Sequence, residues 1–170
     1  MSPENRFSHL DSEGRASMVD VSEKPITRRT AEASCRVILR EETLERLSEM
    51  PKGDALAVAR IAGVQAAKRT GELIPLAHPL KPEDVQIEFE RIEGGMQLRS
   101  RVVVTARTGA EMEALTACAV AGLALYDMVK AVDRSATVTD LRLEAKSGGA
   151  SGEFRRESDL PRDTPKPRDT

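Results

Sequence analysis

Residues 109–133 read GAEMEALTACAVAGLALYDMVKAVD, and the reading of this stretch limits how everything else can be arranged. Ala, Leu, Met, Glu and Lys dominate it, and all are good helix formers. Thr108 or Gly109 can cap its start, and Glu111 and Glu113 fall in the first turn, where negative charge suits the helix dipole. From Ala114 to Tyr126 there is no charged residue, and a helix that is apolar all round is buried on most sides. Ala117, Cys118, Ala121 and Gly122 are small, so neighbouring elements can come close to it.

The charges gather at the two ends of that helix. Asp127 and Lys130 lie about one turn apart, and an isolated pair of this kind is most often a weak ion pair on a solvated helix end. Here it follows an uncharged run and Tyr126, where a buried helix can open into a cleft. Glu113 and Asp127 are fourteen positions apart, which leaves them ~40° apart around the axis but ~21 Å apart along it. Both can serve one site only if the ligand is long or a second copy of the helix supplies the other end.

Working outward, Val85–Ile92 and Met96–Ala106 alternate with period two around Glu93-Gly94-Gly95, a hairpin signature. Thr137–Ala145 is a further alternating strand, followed by KSGGASG at 146–152, a flexible Gly/Ser loop. Upstream, Ala31–Leu39 reads as a strand and Glu41–Met50 as a short helix, which Pro51-Lys52-Gly53 breaks. Asp54 caps a helix over Ala55–Thr70, with Ala55, Val58, Ala59, Ala62 and Ala66 as its apolar stripe. The order β-α-α-β-β-α-β, less the short helix, is the split β-α-β pattern of an α+β, ferredoxin-like fold: an antiparallel sheet with helices packed on one face. The other face needs a cover, and another subunit is the usual one. The expected organisation is a mostly disordered segment over 1–17, one domain over 18–155, and a disordered, charged, proline-rich tail over 156–170.

Composition narrows the function classes. With no Trp, one Tyr and three Phe, the core must be aliphatic, and a sheet that stacks RNA bases on exposed aromatics is poorly supplied, Phe89 being its only strand aromatic. The net charge of −2 provides no global field for nucleic acid or anionic membrane. No long uninterrupted apolar run or signal peptide is present. Cys35 and Cys118 sit in apolar patterns without His or Cys at metal-ligand spacing, so they read as buried free thiols in a reducing, cytoplasmic setting, and no metal site is expected.

Several groups outside the strands could do chemistry. Lys52 precedes the positive end of a helix. Arg28 and Arg29 are adjacent, and a loop arginine can clamp phosphate bidentately. Lys146 opens a glycine-rich loop whose amides suit phosphate, although its Lys precedes the glycines and no Walker pattern is formed. In GELIPLAHPL at 71–80, two prolines stiffen an apolar loop around His78, a candidate pocket wall. Asp with Lys can run general acid–base chemistry when burial shifts one pKa.

Taken together, MVDVSEK at 18–24, KGDALAVARIAGVQAAKRTGELIPLAHPL at 52–80, TGAEMEALTACAVAGLALYDMVKAVD at 108–133 and KSGGASGEF at 146–154 resemble the cyclic pyranopterin monophosphate synthase family of molybdenum cofactor biosynthesis, in collinear order over roughly residues 8–155. The resemblance implies a ferredoxin-like subunit in a homohexamer, a trimer of dimers with sites at the dimer interface. It implies conversion of 3′,8-cyclo-7,8-dihydro-GTP to cyclic pyranopterin monophosphate with release of pyrophosphate, without a cofactor. By the same resemblance Asp127 is the catalytic acid–base residue, with Lys52 and Lys130 as its partners. Leu76, Ala77, His78, Met112, Glu113 and Glu111 line the substrate pocket, and Lys146 and Arg29 neutralise the triphosphate. Many relatives carry Cys where this chain has Ala77, but the implied proton transfers and phosphate release ask for no thiol. The rival reading, a non-catalytic ferredoxin-like nucleotide- or RNA-binding or oligomerisation module, would not need Lys52, Asp127 and Lys130 together.

Overall fold

A computed structural model of the chain describes residues 13–47, 53–150 and 152–157. The elements in order are β1 (Thr27–Ile38), α1 (Glu41–Glu45), α2 (Ala55–Lys68), α3 (Thr70–Leu73), β2 (Asp84–Ile92), β3 (Gly95–Ala106), α4 (Glu111–Val129), β4 (Thr137–Ser147) and β5 (Phe154–Arg155). They build one sheet of order β2-β3-β1-β4-β5, with every pairing antiparallel. The first four strands have the ferredoxin-like arrangement that the element order predicts, and α2 and α4 pack together on one face.

Alternation along the strands sets the two faces. On β1, Ala31, Ala33, Cys35 and Val37 point into the core, beside Leu98, Val102 and Val104 of β3. The opposite face is polar, with ion pairs across β2 and β3, Arg99 to Glu90 at 2.5 Å and Arg101 to Asp84 at 3.3 Å, and one along β4, Arg142 to Glu144 at 2.8 Å. Phe89 is on the helix side, where Arg60 lies over its ring at 5.3 Å. It is therefore no stacking platform on the open face.

The small residues of α4 act as expected. A Cβ on Gly63 of α2 would come within 2.9 Å of the Ala117 carbonyl and 3.1 Å of the Ala121 Cβ, so these helices approach to backbone contact. One turn round, a Cβ on Gly122 would meet Val138 at 3.1 Å and Cys35 Sγ at 3.3 Å, which seats α4 on the sheet. By length and composition α4 could cross a membrane, but it is the core helix here: Ala114, Ala117, Cys118, Ala121 and Leu125 are fully buried. Cys35 and Cys118 are free and buried, and the Cys35 thiol donates to the Cys118 carbonyl at 3.5 Å.

Several expectations need correction. The stripe of α2 is Ala55, Ala59, Gly63, Ala66 and Ala67; Val58 is exposed because the side pressed against α4 must be its smallest. The α4 N-cap is Ala110, with no side-chain cap, rather than Thr108 or Gly109. Asp54 does cap α2, accepting from the Leu56 and Ala57 N–H groups at 2.9 and 3.0 Å. The first strand starts at Thr27, so Arg28 and Arg29 are strand residues, and Lys146 belongs to β4 rather than a loop. Phe154 and Arg155, the last residues of the expected domain, form a short edge strand that the sequence did not mark. Lys52 and the end of the Glu41–Met50 segment lie outside the described residues.

One polar group holds the far end of α4. Asp133 is fully buried. Its carboxylate accepts the Arg40 N–H at 2.8 Å, the Thr43 hydroxyl at 3.1 Å and the Ser135 hydroxyl at 2.7 Å, and Arg40 Nε lies 3.2 Å away. Burial alone would raise its pKa, but the Arg40, Ser135 and Thr43 donors outweigh burial and hold it at about 2. A lowered carboxylate pKa adds stability above the unfolded-state value that is lost as pH falls through the folded-state value. Asp133 should thus contribute ~2 kcal/mol above pH ~4, vanishing toward pH ~2. Asp133→Asn is expected to cost ~2–4 kcal/mol at pH 7 and to narrow its deficit in acid, as read by urea unfolding at pH 7 and pH 3.

Candidate functional site

A cavity opens where the N-terminus of α4, the start of β1, the end of β4 and the loop after α3 meet. Its volume is about 650 Å³, within the range of small-molecule sites. Arg29, Leu76, Ala77, His78, Glu111, Met112, Glu113 and Lys146 all line it. Every pocket-lining residue singled out from the sequence therefore meets in one place, from four separate segments. Lys24, Arg107, Thr108, Val19 and Val21 also line it and were missed as site residues. The sequence offered only the MVDVSEK string for Val19, Val21 and Lys24 and the string that opens at Thr108, and Arg107 carries no signal.

Each key side chain is held by its element. Arg29, buried on β1, donates from Nε to the Ala106 carbonyl at 3.1 Å and from Nη2 to the Arg107 carbonyl at 3.0 Å. The glycine pair after β4 wraps it. Gly148 has φ +94°, and a Cβ there would reach 2.4 Å from the Arg28 carbonyl; a Cβ on Gly149, φ +78°, would reach 2.2 Å from Arg29 Nη1. These positions need glycine for both conformation and space. Lys146 Nζ lies 2.8 Å from Glu111 Oε1. The Glu111 carboxylate folds back over Gly109, where a Cβ would come within 1.9 Å of Oε2.

Glu113 has another environment. It is 2% exposed, and burial pushes its pKa up to about 7, its own N–H pulling down and the Glu111 carboxylate adding a smaller push upward. Near neutral pH such a carboxyl can both give and take a proton. The cavity thus sets four cations, Lys24, Arg29, Arg107 and Lys146, against two acids, one of them poised to be neutral. This is the charge balance of a polyanion site.

Asp127 and Lys130 are elsewhere. They sit at the other end of α4, exposed and paired at 2.5 Å. Beside this carboxylate Lys130 is held above its ordinary pKa, first by the hydrogen bond and then by the charge, so it is an ammonium at neutral pH. At 1.5 Å per residue Asp127 lies ~21 Å and Lys130 ~25 Å along the axis from Glu113. One protomer therefore holds the pocket residues together and keeps the Asp127–Lys130 pair away from them. Lys52 lies outside the described residues.

Comparison with known proteins matches the model of the MoaC family over residues 18–149. Several curated relatives bear the name cyclic pyranopterin monophosphate synthase. The one from Streptomyces griseus is 53% identical over 158 residues, 92% of this chain and 89% of the relative. The one from Thermomicrobium roseum is 54% identical over 157 residues, 90% and 95% of the two chains. In Mycobacterium tuberculosis a protein named cyclic pyranopterin monophosphate synthase 3 is 54% identical over 154 residues, 88% and 86% of the two chains.

Glu113 generates a prediction with a definite sign. A raised carboxyl pKa means that the folded chain holds a proton which the unfolded chain releases, so stability declines from pH ~4.5 to pH ~7 and then levels. Glu113→Gln should flatten that decline and exceed the parent at pH 8 by on the order of 2 kcal/mol after solvent screening at the cavity. Thermal midpoints of both proteins across pH 5–8 check this; parallel curves would place the titration elsewhere.

Proposed function

The chain belongs to the MoaC family, and we infer on that basis that it converts 3′,8-cyclo-7,8-dihydro-GTP to cyclic pyranopterin monophosphate with release of pyrophosphate, in molybdenum cofactor biosynthesis. What carries the reading is the cavity that collects Arg29, Leu76, Ala77, His78, Glu111, Met112, Glu113 and Lys146. Its volume suits a nucleotide-sized ligand, and its surplus of cations suits three phosphates.

In this reading the triphosphate lies toward Lys146, Arg29 and Lys24, while the ring system lies toward Leu76–His78 and Met112. Opening the purine ring breaks a C–N bond and rebuilding it as a pterin forms another, each assisted by proton transfer, and closing the cyclic phosphate expels pyrophosphate. Glu113, with its pKa near 7, is suited to carry one of those protons. Asp127 is the acid–base residue, with Lys52 and Lys130 beside it. Lys130 enters the reaction as an ammonium, because Asp127 keeps it charged, so it serves as an electrostatic partner or proton donor.

The distance along α4 supports a shared site. Asp127 and Lys130 of one protomer complete the cavity of another, which calls for at least a dimer. A homohexamer built as a trimer of dimers meets that need. Exposed Val58 and Ile61 on α2 and Leu123 on α4 supply apolar area for contacts between copies. The two free buried thiols suit a cytoplasmic enzyme.

The direct test is incubation with the cyclised GTP precursor, followed by assay of pyrophosphate and of the fluorescent oxidised pterin. Both should appear in equal amounts, and absence of both would refute the activity. Asp127→Asn should lose pterin formation by at least ~10²-fold while keeping the native assembly. For the shared site, subunits carrying Asp127→Ala are mixed and reassembled with subunits carrying Glu113→Ala. Activity should return to roughly a quarter of the parent's, because half of randomly paired dimers carry one intact site of two. Activity no higher than either mutant alone would place each complete site within one chain.

A further inference from the structure

One wall of the cavity belongs to no helix or strand: residues 19–24, which contribute Val19, Val21 and Lys24 to its lining. Within this strap the Ser22 N–H donates to Asp20 Oδ1 at 2.8 Å and the Lys24 N–H to the Val21 carbonyl at 3.0 Å. These bonds shape the strap but do not attach it. Val19 and Val21 are only half-buried and stand outside the main hydrophobic cluster. Among the described residues, the long-range hydrogen bonds to the strap come from one side chain, Arg107, whose Nη1 donates to the carbonyls of Ser22 and Lys24. The main chain of Arg107 meanwhile receives Arg29 Nη2 at 3.0 Å.

We propose that Arg107 is a positioning residue, fastening the 19–24 strap over the cavity so that the Lys24 wall is already formed when a polyphosphate arrives. The arginine follows β3 directly and lies just upstream of α4. Its side chain fixes the strap while its carbonyl fixes Arg29, so two cationic walls share one anchor. A guanidinium suits the task because its planar fork of donors can address two carbonyls of a turn from one fixed stem. A strap held by little else is ordered at small cost and lost easily, so removing the anchor should loosen it without disturbing the core. Pre-forming the wall lowers the ordering cost of binding.

The inference rests on the activity proposed above, and its test uses readouts that do not need that activity. Hydrogen exchange of the 19–24 amides and calorimetric binding of inorganic pyrophosphate are measured on the full chain, the parent, Arg107→Met and Arg107→Lys. In both variants the strap amides should exchange at least about tenfold faster while β1 and α4 keep their protection. Pyrophosphate should bind about tenfold more weakly. In turnover of the cyclised precursor the loss should fall on KM more than on kcat. If Arg107→Met fails to fold, Arg107→Lys carries the same readouts. Unchanged exchange at the strap would overturn the proposal, as would a loosened strap with undiminished pyrophosphate affinity. Arg107→Lys restoring affinity while the strap stays loose would overturn it too, because charge alone would then suffice. Failure of the parent to turn over the precursor would count against the proposed activity and leave the exchange result standing.

Discussion

The close seating of α4 is the constraint from which the rest follows. Gly63 leaves no room for a Cβ against the Ala117 carbonyl on one side, and Gly122 leaves only a tight fit against Val138 and Cys35 on the other. Such contacts give up side-chain burial at those positions in exchange for dense backbone packing, and interiors tolerate little change in that volume. A helix gripped on two sides over most of its length cannot easily slide or rotate. Whatever it carries at its ends is therefore placed with the accuracy of the core rather than that of a loop.

Those ends carry opposite surroundings. At the N-terminal end Glu113 is drawn into the cavity and its pKa rises to about 7. At the C-terminal end Asp127 and Lys130 stay in solvent, paired, just before the anchor that Asp133 makes with Arg40, Thr43 and Ser135. A rigid rod of this length holds its two chemical ends apart, so a site that used both would need a second copy. Exposure of the Asp127–Lys130 pair in a single protomer is what a shared site requires before assembly. It is also what an ordinary surface ion pair looks like, and for that reason the decisive comparison is between mixed and unmixed subunits.

Much of this was legible in the sequence because it depends on periodicity and on residue size. The uncharged run after Ala114, the alternation in Val85–Ile92 and the Asp54 cap each state a local physical preference that tertiary packing then honours. The misreadings share a cause. Strand ends at Thr27–Thr30 and at Lys146–Ser147 are polar, so alternation of apolar residues does not mark them, yet their backbones pair with β3 and with each other. The stripe of α2 was read by hydrophobicity, which favoured Val58, whereas contact distance to α4 selected Gly63. Residues such as Arg107 left no trace because their role lies in meeting carbonyls eighty-odd positions away.

Moving Arg29 and Lys146 from loops onto adjacent strands alters how the cavity handles charge. A loop cation can swing to its ligand, whereas these are held by the sheet: Arg29 by two carbonyls and Lys146 by Glu111. Lys146 is already paired with Glu111, so under the proposed function a phosphate would have to compete with that carboxylate for it. That competition is milder when the cavity holds less negative charge, which is the state that protonation of Glu113 creates. Burial of Glu113 and pairing of Lys146 are thus linked through the ligand: each phosphate oxygen that enters favours the proton on Glu113, and each proton on Glu113 favours the phosphate. A reaction that expels pyrophosphate can use the same linkage in reverse, since loss of that charge lets Glu113 give its proton up and Glu111 reclaim Lys146.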